Sequence, residues 1–329
     1  MKAILMISSL IVFTATSLIS QPKPALHSGP NCHNVNAAKS VDGGKSYKQI
    51  AKNVLKSASV PDAVHFRGKD FIYYVNGSGG YNKHSIFVSQ LRNGGKSSKL
   101  IGPVKIDGKI IRDAVDPDLI LMPNGKLRLF YYVGYFTSPM QNSKRNKIYS
   151  AISTDGINFK SEGAMVALDD PTDPSVTKIP NGNYLLAVPQ GKKQKITIYS
   201  SSTGYNFKKI KTIKGGIPEL SIGSNGQVQL LYQDKDLILK ESTNGGKSWK
   251  TKSKKLVSGA PPGSNSPSVL LTSDKNRIMY YAWGKKGCTT SPTEFLKDKN
   301  AFIGNGSNNS AMGEPPLGHG VKPKDKKKN

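Results

Sequence analysis

The chain has 329 residues, of which 36% are apolar, and its formal net charge of +27 comes mostly from lysine. This apolar content is enough to bury a core, which excludes a wholly disordered chain. The charge favours anionic partners, such as an acidic polysaccharide or a phosphate-bearing cell-wall polymer, unless the lysines only keep the surface soluble. We expect no nucleic acid partner.

The N-terminus has the pattern of a secretory signal peptide, which we place at residues 1–20. Lys2 precedes an apolar run over residues 3–13, and small residues follow at Ala15 and Ser17. The apolar run is too short to span a membrane comfortably. We therefore expect a secreted or periplasmic protein whose mature chain has no transmembrane span.

Five hairpins recur along the chain, and each begins at a segment built around a proline. The clearest copy runs over residues 116–133, where Asn124-Gly125 separates two apolar runs. Asn-Gly in this position is the strongest short-range hairpin signal, because both residues tolerate positive φ. A repeat of this length in an all-strand chain indicates a propeller or a solenoid. The five prolines are Pro61, Pro117, Pro174, Pro218 and Pro267.

A second repeat lies between the hairpins and has the spacing Ser-x-Asp/Asn-Gly, followed by an aromatic residue. The clearest copies are residues 40–47 and 242–249, a shorter copy is residues 153–159, and a degenerate copy is residues 201–207. An Asp or Asn side chain that bonds nearby amides, with a glycine at positive φ, is typical of a turn. These segments resemble the Asp-boxes, or BNR repeats, of sialidase-like propellers, which are structural turns.

Together the two repeats predict an all-β fold, a five-bladed β-propeller with four-stranded antiparallel blades over residues 31–287. Because a turn of the second kind precedes the first hairpin and none follows the last, the N-terminal strands should complete the last blade and close the ring. This places Cys32 beside Cys288, and two cysteines in an exported chain commonly pair. Residues 288–329 form a basic C-terminal extension that we expect to be disordered at its end. We expect a monomer.

The proline segments would open the innermost strands on one face, around a central funnel. Several carboxylates around one cavity can separate their pKa values and serve as acid and base, as glycoside hydrolysis requires. The alternative is that an Asp before a proline only caps a turn. The candidate catalytic residues are Asp62, Asp118, Asp173 and Glu219. The candidate substrate-binding residues are Arg112, Asp116, Tyr135, Phe136 and His84. We expect no cofactor and no metal, since the five histidines have no ligand spacing.

The proline hairpins resemble the blades of family 43 glycoside hydrolases, the arabinanase and β-xylosidase kind, and of their furanosidase relatives. In that family the base is an Asp before the first blade's proline, an Asp in blade three tunes the acid, and the acid is a Glu in blade four. Asp173-Pro174-Ser175 matches the tuning Asp. Position 60 is Val instead of the base, and Gly216 stands where the Glu would be; Glu219 follows Pro218 instead.

These patterns leave three functions open. The first is a secreted glycoside hydrolase-like enzyme that acts on a glycan in the axial funnel with paired carboxylates. The second is a propeller that binds a glycan or a surface partner without catalysis. The third is a sialidase-like exo-glycosidase, although the early Arg-Ile-Pro motif of sialidases is absent from the sequence.

Overall fold

The computed structural model describes residues 29–78, 84–112, 114–133, 146–168, 171–190, 195–272, 276–285 and 288. Its strands, in chain order, are β1 (His33–Ser40), β2 (Tyr47–Lys56), β3 (Ala58–Phe66), β4 (Lys69–Asn76), β5 (Ile86–Arg92), β6 (Ser97–Pro103), β7 (Lys105–Ile106), β8 (Ala114–Leu121), β9 (Leu127–Val133), β10 (Asn146–Ser153), β11 (Asn158–Leu168), β12 (Ser175–Lys178), β13 (Tyr184–Gln190), β14 (Lys195–Ser201), β15 (Lys208–Lys214), β16 (Gly216–Ile222), β17 (Val228–Asp234), β18 (Asp236–Ser242), β19 (Lys250–Ser253), β20 (Val257–Ser258), β21 (Asn265–Leu271) and β22 (Arg277–Gly284). A 3₁₀ turn at Pro30–Cys32 precedes β1.

The strands form five sheets, which confirms the predicted five-bladed propeller. Blade 1 is β3–β6, blade 3 is β12–β15 and blade 4 is β16–β19, each in sequential order. Blade 2 (β8–β11) and blade 5 (β21, β22, β1 and β2) each carry one extra short strand, β7 and β20, paired in parallel to the outer edge. In the part of the chain that is described, no helix is long and apolar enough to cross a membrane.

The ring closes between the two ends of the propeller chain, as the repeat pattern predicted. Strand β1 pairs antiparallel with β22 over eight residues, from His33 opposite Gly284 to Ser40 opposite Arg277. The predicted disulfide is also present: Cys32 and Cys288 are bonded, with their Cα atoms 5.5 Å apart. The last blade therefore needs both ends of the chain, and no free sheet edge is left at the closure.

The hydrophobic core is divided among the five contacts between neighbouring blades. The second strand of each blade contains a run of buried residues, because both of its faces meet other blades. Leu127 and Leu129 pack between blades 1 and 2, for example, and Leu230 packs between blades 3 and 4. Each blade is thus stabilised by two neighbours, so the ring is expected to fold as one cooperative unit.

The Ser-x-Asp turns between the third and fourth strands contain the hydrogen bonds expected of them. Ser40 Oγ donates to Asp42 Oδ1 at 2.7 Å and accepts from the Gly44 amide at 2.9 Å. Ser153 makes the same pair of bonds with Asp155 and the amide of Gly156. Partial burial pushes the pKa of Asp42 up, but hydrogen bonds from Ser46, Ser40 and two amides outweigh it and lower the pKa to about 2. These turns fix the outer strands; they do not reach the axis.

We predict that the Cys32→Ser/Cys288→Ser double variant is destabilised by roughly 4–5 kcal/mol, because the disulfide closes a very long loop in the unfolded chain. Guanidinium unfolding at pH 7 would measure the change, with the reduced wild-type protein as the matched control. The reduced wild type should match the variant, and reductant should leave the variant's own midpoint unchanged. If the variant instead unfolded at the same midpoint as the oxidised wild type, the pairing of β1 with β22 would be enough to hold the ring without the covalent bond.

Candidate functional site

The chain makes the same left-handed turn at the proline of every blade. The residue before the proline has a left-handed backbone, which L-residues rarely adopt and which a following proline disfavours further. In four blades the strand pairing also shifts register there, as between Val115 and Asp118. The five residues and their φ angles are Val60 (45°), Asp116 (53°), Asp173 (41°), Ile217 (46°) and Ser266 (48°). The sequence predicted regular strand openings, so this bulge was not foreseen.

The bulges place one side chain per blade against the next blade, and these side chains form a closed ring of hydrogen bonds. In each blade, the side chain of the residue directly after the proline accepts a hydrogen bond from the following blade. The donor is the backbone amide of the second residue after that blade's proline. We call these five side chains the axial ring. The bonds are Leu119 N to Asp62 Oδ2 (2.6 Å), Val176 N to Asp118 Oδ2 (2.8 Å), Leu220 N to Ser175 Oγ (2.9 Å), Val269 N to Glu219 Oε1 (2.9 Å) and Ala63 N to Ser268 Oγ (2.9 Å).

The two serines of the axial ring also donate their hydroxyl protons to the acids. Ser268 Oγ donates to Asp62 Oδ1 at 2.8 Å, and Ser175 Oγ donates to Glu219 Oε2 at 3.2 Å. Each serine therefore satisfies a buried amide and a carboxylate oxygen of two consecutive residues in the following blade. The ring leaves both Asp62 oxygens and both Glu219 oxygens hydrogen-bonded within the protein.

The three acids of the axial ring are buried close together. One carboxylate oxygen from each of Asp62, Asp118 and Glu219 lies within 4.8 Å of the others. Burial raises the pKa of Asp62 to about 7. Burial, and then the charge of Asp62, raise the pKa of both Asp118 and Glu219 well above the ordinary range. Carboxylate oxygens this close together can act as ligands for a hard cation. Each of the three acids, however, already accepts a hydrogen bond from a backbone amide.

The three acids of the axial ring line a cavity of about 20 Å³, which is room for about one water molecule. The structure brings all four candidate catalytic residues, Asp62, Asp118, Asp173 and Glu219, to the wall of this cavity. A sugar ring does not fit inside it, so any glycan would have to sit at its mouth. The remaining wall is Val60, Ile217, Ser266 and the five repeat prolines.

Asp173 differs from the three ring acids because it precedes its proline instead of following it. Its side chain is partly exposed. Its amide donates to Asp116 Oδ2 at 3.1 Å, so two acids that both precede prolines meet between blades 2 and 3. Burial raises the pKa of Asp173 to about 6. Asp116 itself is buried and is not part of the cavity wall, so Asp173 is the member of this pair that lines the cavity. We call Asp116 and Asp173 the mouth acids.

The other candidate substrate-binding residues are less directly connected to the cavity. Arg112 lies on an exposed turn and is not part of the cavity wall. His84 is buried, and its Nδ1 atom lies 2.9 Å from the carbonyl oxygen of Asn76. Burial lowers the pKa of His84, so the ring is held neutral at pH 7. Tyr135 and Phe136 lie outside the described residues.

The ring serines are the residues whose role was not recognised from the sequence. Ser175 and Ser268 occupy the same repeat position as Asp62, Asp118 and Glu219, one residue after the proline. An alignment of the five repeats on their prolines contains that signal. It distinguishes the position after the proline, which forms the ring, from the position before it, which lines the cavity in every blade but blade 2.

Comparison with solved structures agrees with this fold. A family 117 glycoside hydrolase from Zobellia galactanivorans is 13% identical, with a TM-score of 0.52 over 80% of this chain and 94% of its own. An N-acetylgalactosamine deacetylase from F. plautii, solved with blood group B trisaccharide, is 11% identical, with a TM-score of 0.53 over 80% and 99%. A thermostable family-43 glycoside hydrolase is 13% identical, with a TM-score of 0.50 over 63% and 78%.

At these identities the likeness concerns the fold alone. No protein-family model matches the chain. No curated protein matches its sequence. The class that fold and site together define is a five-bladed propeller with the architecture of glycoside hydrolases and an acid-lined axis.

Ser268→Ala should destabilise the protein by about 1–3 kcal/mol, because it leaves the buried Ala63 amide and one Asp62 oxygen without a partner. Ser266→Ala is the matched control, since that hydroxyl is equally buried but bonds only to Asn265 Oδ1 in its own blade. Urea unfolding of the three proteins would compare them. Equal losses in both variants would argue against the axial ring as a blade-to-blade link.

The raised pKa values predict that stability falls as pH rises. The pKa of Asp62 is 3.8 in the unfolded chain and about 7 in the fold. Between these values the folded state binds more protons than the unfolded state, so the free energy of unfolding decreases from about pH 4 to about pH 7. Unfolding free energies measured at constant ionic strength from pH 4.5 to 8 would show this slope.

Asp62→Asn is the test variant for that slope, because an amide has the shape of the protonated carboxyl. Its oxygen can still accept from the Leu119 amide, and its NH2 group, like the protonated carboxyl's OH, can donate to Ser268 Oγ with the direction of that bond reversed. The variant's free energy of unfolding should equal that of the wild type near pH 4.5 and exceed it at pH 8, so its decrease with pH should be smaller. Asp236→Asn, on an exposed strand end, is the control and should leave the slope as it is. A variant less stable than the wild type at pH 8 would mean that the ionised carboxylate stabilises the fold.

Proposed function

We propose that this chain is a secreted carbohydrate-binding propeller whose ligand contacts the mouth acids, and that it does not hydrolyse the glycan it binds. The observation that carries this proposal is the assignment of Asp62, Asp118 and Glu219 to the axial ring. Their oxygens link blades, and the cavity between them admits one water molecule and no sugar. Carboxylates in that position cannot be placed on both sides of a glycosidic bond.

The resemblance to family 43 supports the absence of hydrolysis. The family's base and acid positions correspond to Val60 and Gly216, neither of which carries a proton-transfer group. Only the tuning position keeps its acid, as Asp173. A site that has lost its acid and base but keeps a polar mouth can still recognise a sugar, because recognition needs hydrogen-bond acceptors and donors without a proton relay.

Carbohydrate as the ligand class is supported by the solved structures and by the chemistry of the mouth. The similar propellers are named for activities on glycosides or on an amino sugar, so the shared architecture accommodates sugars in several chemistries. Asp173 supplies carboxylate oxygens at the cavity wall, and such oxygens can accept hydrogen bonds from sugar hydroxyls. Hydrogen bonds to a charged group contribute about 1.5–3 kcal/mol each, enough to orient one sugar unit.

Secretion is supported by the disulfide between Cys32 and Cys288, since such bonds persist outside the reducing cytosol. The N-terminal signal-like sequence points the same way. The sialidase-like alternative has little support in the site: Arg128 is bound to Glu162 at 2.6 Å and Arg277 to the Ile222 carbonyl, so neither arginine is offered to a ligand at the axis.

A second candidate function is glycoside hydrolysis with Asp173 as one of the two reacting acids. The observation that favours it is that Asp173 is partly exposed and that burial raises its pKa to about 6, a value suited to proton transfer near neutral pH. Asp116 lies beside it and offers a second carboxylate.

A glycan array followed by titration of the best ligand would test the proposal, with a turnover assay on the same glycan. We expect binding without turnover, and a loss of affinity of at least tenfold in Asp173→Asn, since one charged hydrogen-bond acceptor is removed. Asp62→Asn is the matched control, because it changes an acid of the same cavity wall that lies in the axial ring; its affinity should stay within about twofold.

Turnover abolished by Asp173→Asn would establish the second candidate instead. Turnover abolished by Asp62→Asn would show that the ring acids react directly and that the cavity opens in solution. Unchanged binding in Asp173→Asn would move the glycan site away from the mouth acids.

A further inference from the structure

Two of the Ser-x-Asp/Asn turns have closely similar sequences but differ at their central residue. Residues 40–47 read Ser-Val-Asp-Gly-Gly-Lys-Ser-Tyr, and residues 242–249 read Ser-Thr-Asn-Gly-Gly-Lys-Ser-Trp. Asp42 in the first turn is therefore replaced by Asn244 in the second. An asparagine that precedes a glycine can lose its side-chain nitrogen without an enzyme, because glycine has no side chain to shield its amide.

The hydrogen bonds of Asn244 are similar to those of Asp42, with one bond reversed. The Oδ1 atom of Asn244 accepts from the Ser242 hydroxyl at 3.0 Å and from the Ser248 amide at 2.9 Å. Its Nδ2 atom donates to Ser248 Oγ at 2.8 Å, whereas the Ser46 hydroxyl donates to Asp42 Oδ2 at 2.6 Å. If an oxygen replaced Nδ2, the Ser248 hydroxyl would only have to turn its proton toward residue 244.

The backbone nitrogen that would attack Asn244 is available in this turn. Among the hydrogen bonds of the described residues, none uses the amide of Gly245, and the Gly246 amide donates to Ser242 Oγ. In the three Asn-Gly hairpin turns, by contrast, the glycine amide donates to a carbonyl oxygen and must lose that bond before it can react. These bonds are Gly125 to Met122, Gly182 to Ile179 and Gly226 to Gly223, at 2.9, 2.9 and 3.0 Å.

The two donors at Asn244 Oδ1 would also lower the barrier to reaction. Attack on Cγ places negative charge on this oxygen, and donors that already point at it stabilise that charge as it forms. Asn93-Gly94 is the natural comparison. Within the described chain the Gly94 amide is also unbound, but no donor reaches Asn93 Oδ1, and Asn93 Nδ2 donates to Ser97 Oγ at 2.8 Å. Asn244 therefore combines a free nucleophile with a polarised carbonyl.

We propose that Asn244 is a self-modification site, at which the turn converts its own asparagine into aspartate. The Gly245 nitrogen bonds to Asn244 Cγ as the Cγ–Nδ2 bond breaks, and Nδ2 leaves as ammonia with the proton of the Gly245 amide. Water then adds to Cγ of the resulting five-membered ring and opens it, which leaves a carboxylate and an ordinary peptide bond. In sum, asparagine and water give aspartate and ammonium, and nothing is oxidised or reduced.

The same contacts favour aspartate over isoaspartate as the product. The ring can open at Cγ, which gives aspartate, or at the main-chain carbonyl carbon of residue 244, which adds a methylene group to the backbone. Ser242 and Ser248 polarise the bond at Cγ, so water adds there. The new carboxylate then accepts from Ser248 as Asp42 accepts from Ser46, which completes another Ser-x-Asp turn.

The test incubates the folded protein at pH 8 and follows each Asn-Gly peptide by mass spectrometry for the gain of one mass unit, with the protein unfolded in urea as the reference. In the fold, Asn244 should convert at least about tenfold faster than Asn93, because only Asn244 has donors at its side-chain carbonyl. It should also outpace Asn124, whose carbonyl accepts from the Lys126 amide but whose glycine amide is bound. In urea the three rates should become similar.

Variants of the turn separate the effect of the donors from that of the sequence. Ser242→Ala removes one donor and should slow the conversion of Asn244 by at least about fivefold, with the rate at Asn93 unchanged. Thr243→Ala, at an exposed neighbouring position, is the matched control and should leave both rates as they are. Ser242 also accepts from the Gly246 amide, so melting temperatures of both variants are compared. Asn244→Asp, the proposed product, should melt at or above the temperature of the fresh wild type.

Digestion with a protease that cleaves before aspartate but not before isoaspartate identifies the product. Equal rates at Asn244 and Asn93 in the fold would mean that a free glycine amide is enough, which would overturn the role of the turn. A slower reaction at Asn244 than at Asn124 would overturn the site itself. Isoaspartate as the main product, or an Asn244→Asp variant that melts below the wild type, would show that the turn does not favour aspartate.

Discussion

The fold depends on the hydrogen bonds by which each blade receives a backbone amide from the next blade at the axis. Innermost strands of a propeller splay apart, so the amides freed by their bulges have no partner in their own sheet. A buried amide without a partner costs about 1–3 kcal/mol, and five of them would be a large fraction of a domain's stability. The axial ring satisfies all five with side chains at one repeated position, and closes the circle between Ser268 and Ala63.

The composition of the axial ring follows from the chemistry of its bonds. Five ionised carboxylates in so small a volume would repel one another strongly, because the surroundings are apolar. Serine at two of the five positions lowers the charge and supplies a hydroxyl proton to the neighbouring acid, as Ser268 does for Asp62. Burial raises the pKa values of the three acids, with the charge of Asp62 as a further cause for Asp118 and Glu219, so proton binding removes part of the remaining charge. The same residues would be poor catalysts, because their protons are part of the structure.

The strained residue before each proline decides which side chain enters the axial ring. A left-handed residue costs of order 1–3 kcal/mol and persists only when its surroundings hold it. Here it accompanies the turn of the chain that brings the residue after the proline into the ring. At Asp116-Pro117-Asp118, Asp118 accepts the Val176 amide of the ring, whereas Asp116 accepts the amide of Asp173, and both acids are buried. Position relative to the proline, and not residue type, therefore decides which amide an acid binds.

This distinction marks the limit of what could be predicted from the sequence. Hairpin prolines, the turn motifs and the two cysteines predicted the blades, the ring closure and the Cys32–Cys288 bond, because each depends on local turn chemistry or on counting strands. They also predicted that Asp62, Asp118, Asp173 and Glu219 share a cavity. The bulge could not be predicted, since regular alternation along a strand has no register shift between Val115 and Asp118. The size of the cavity depends on that shift.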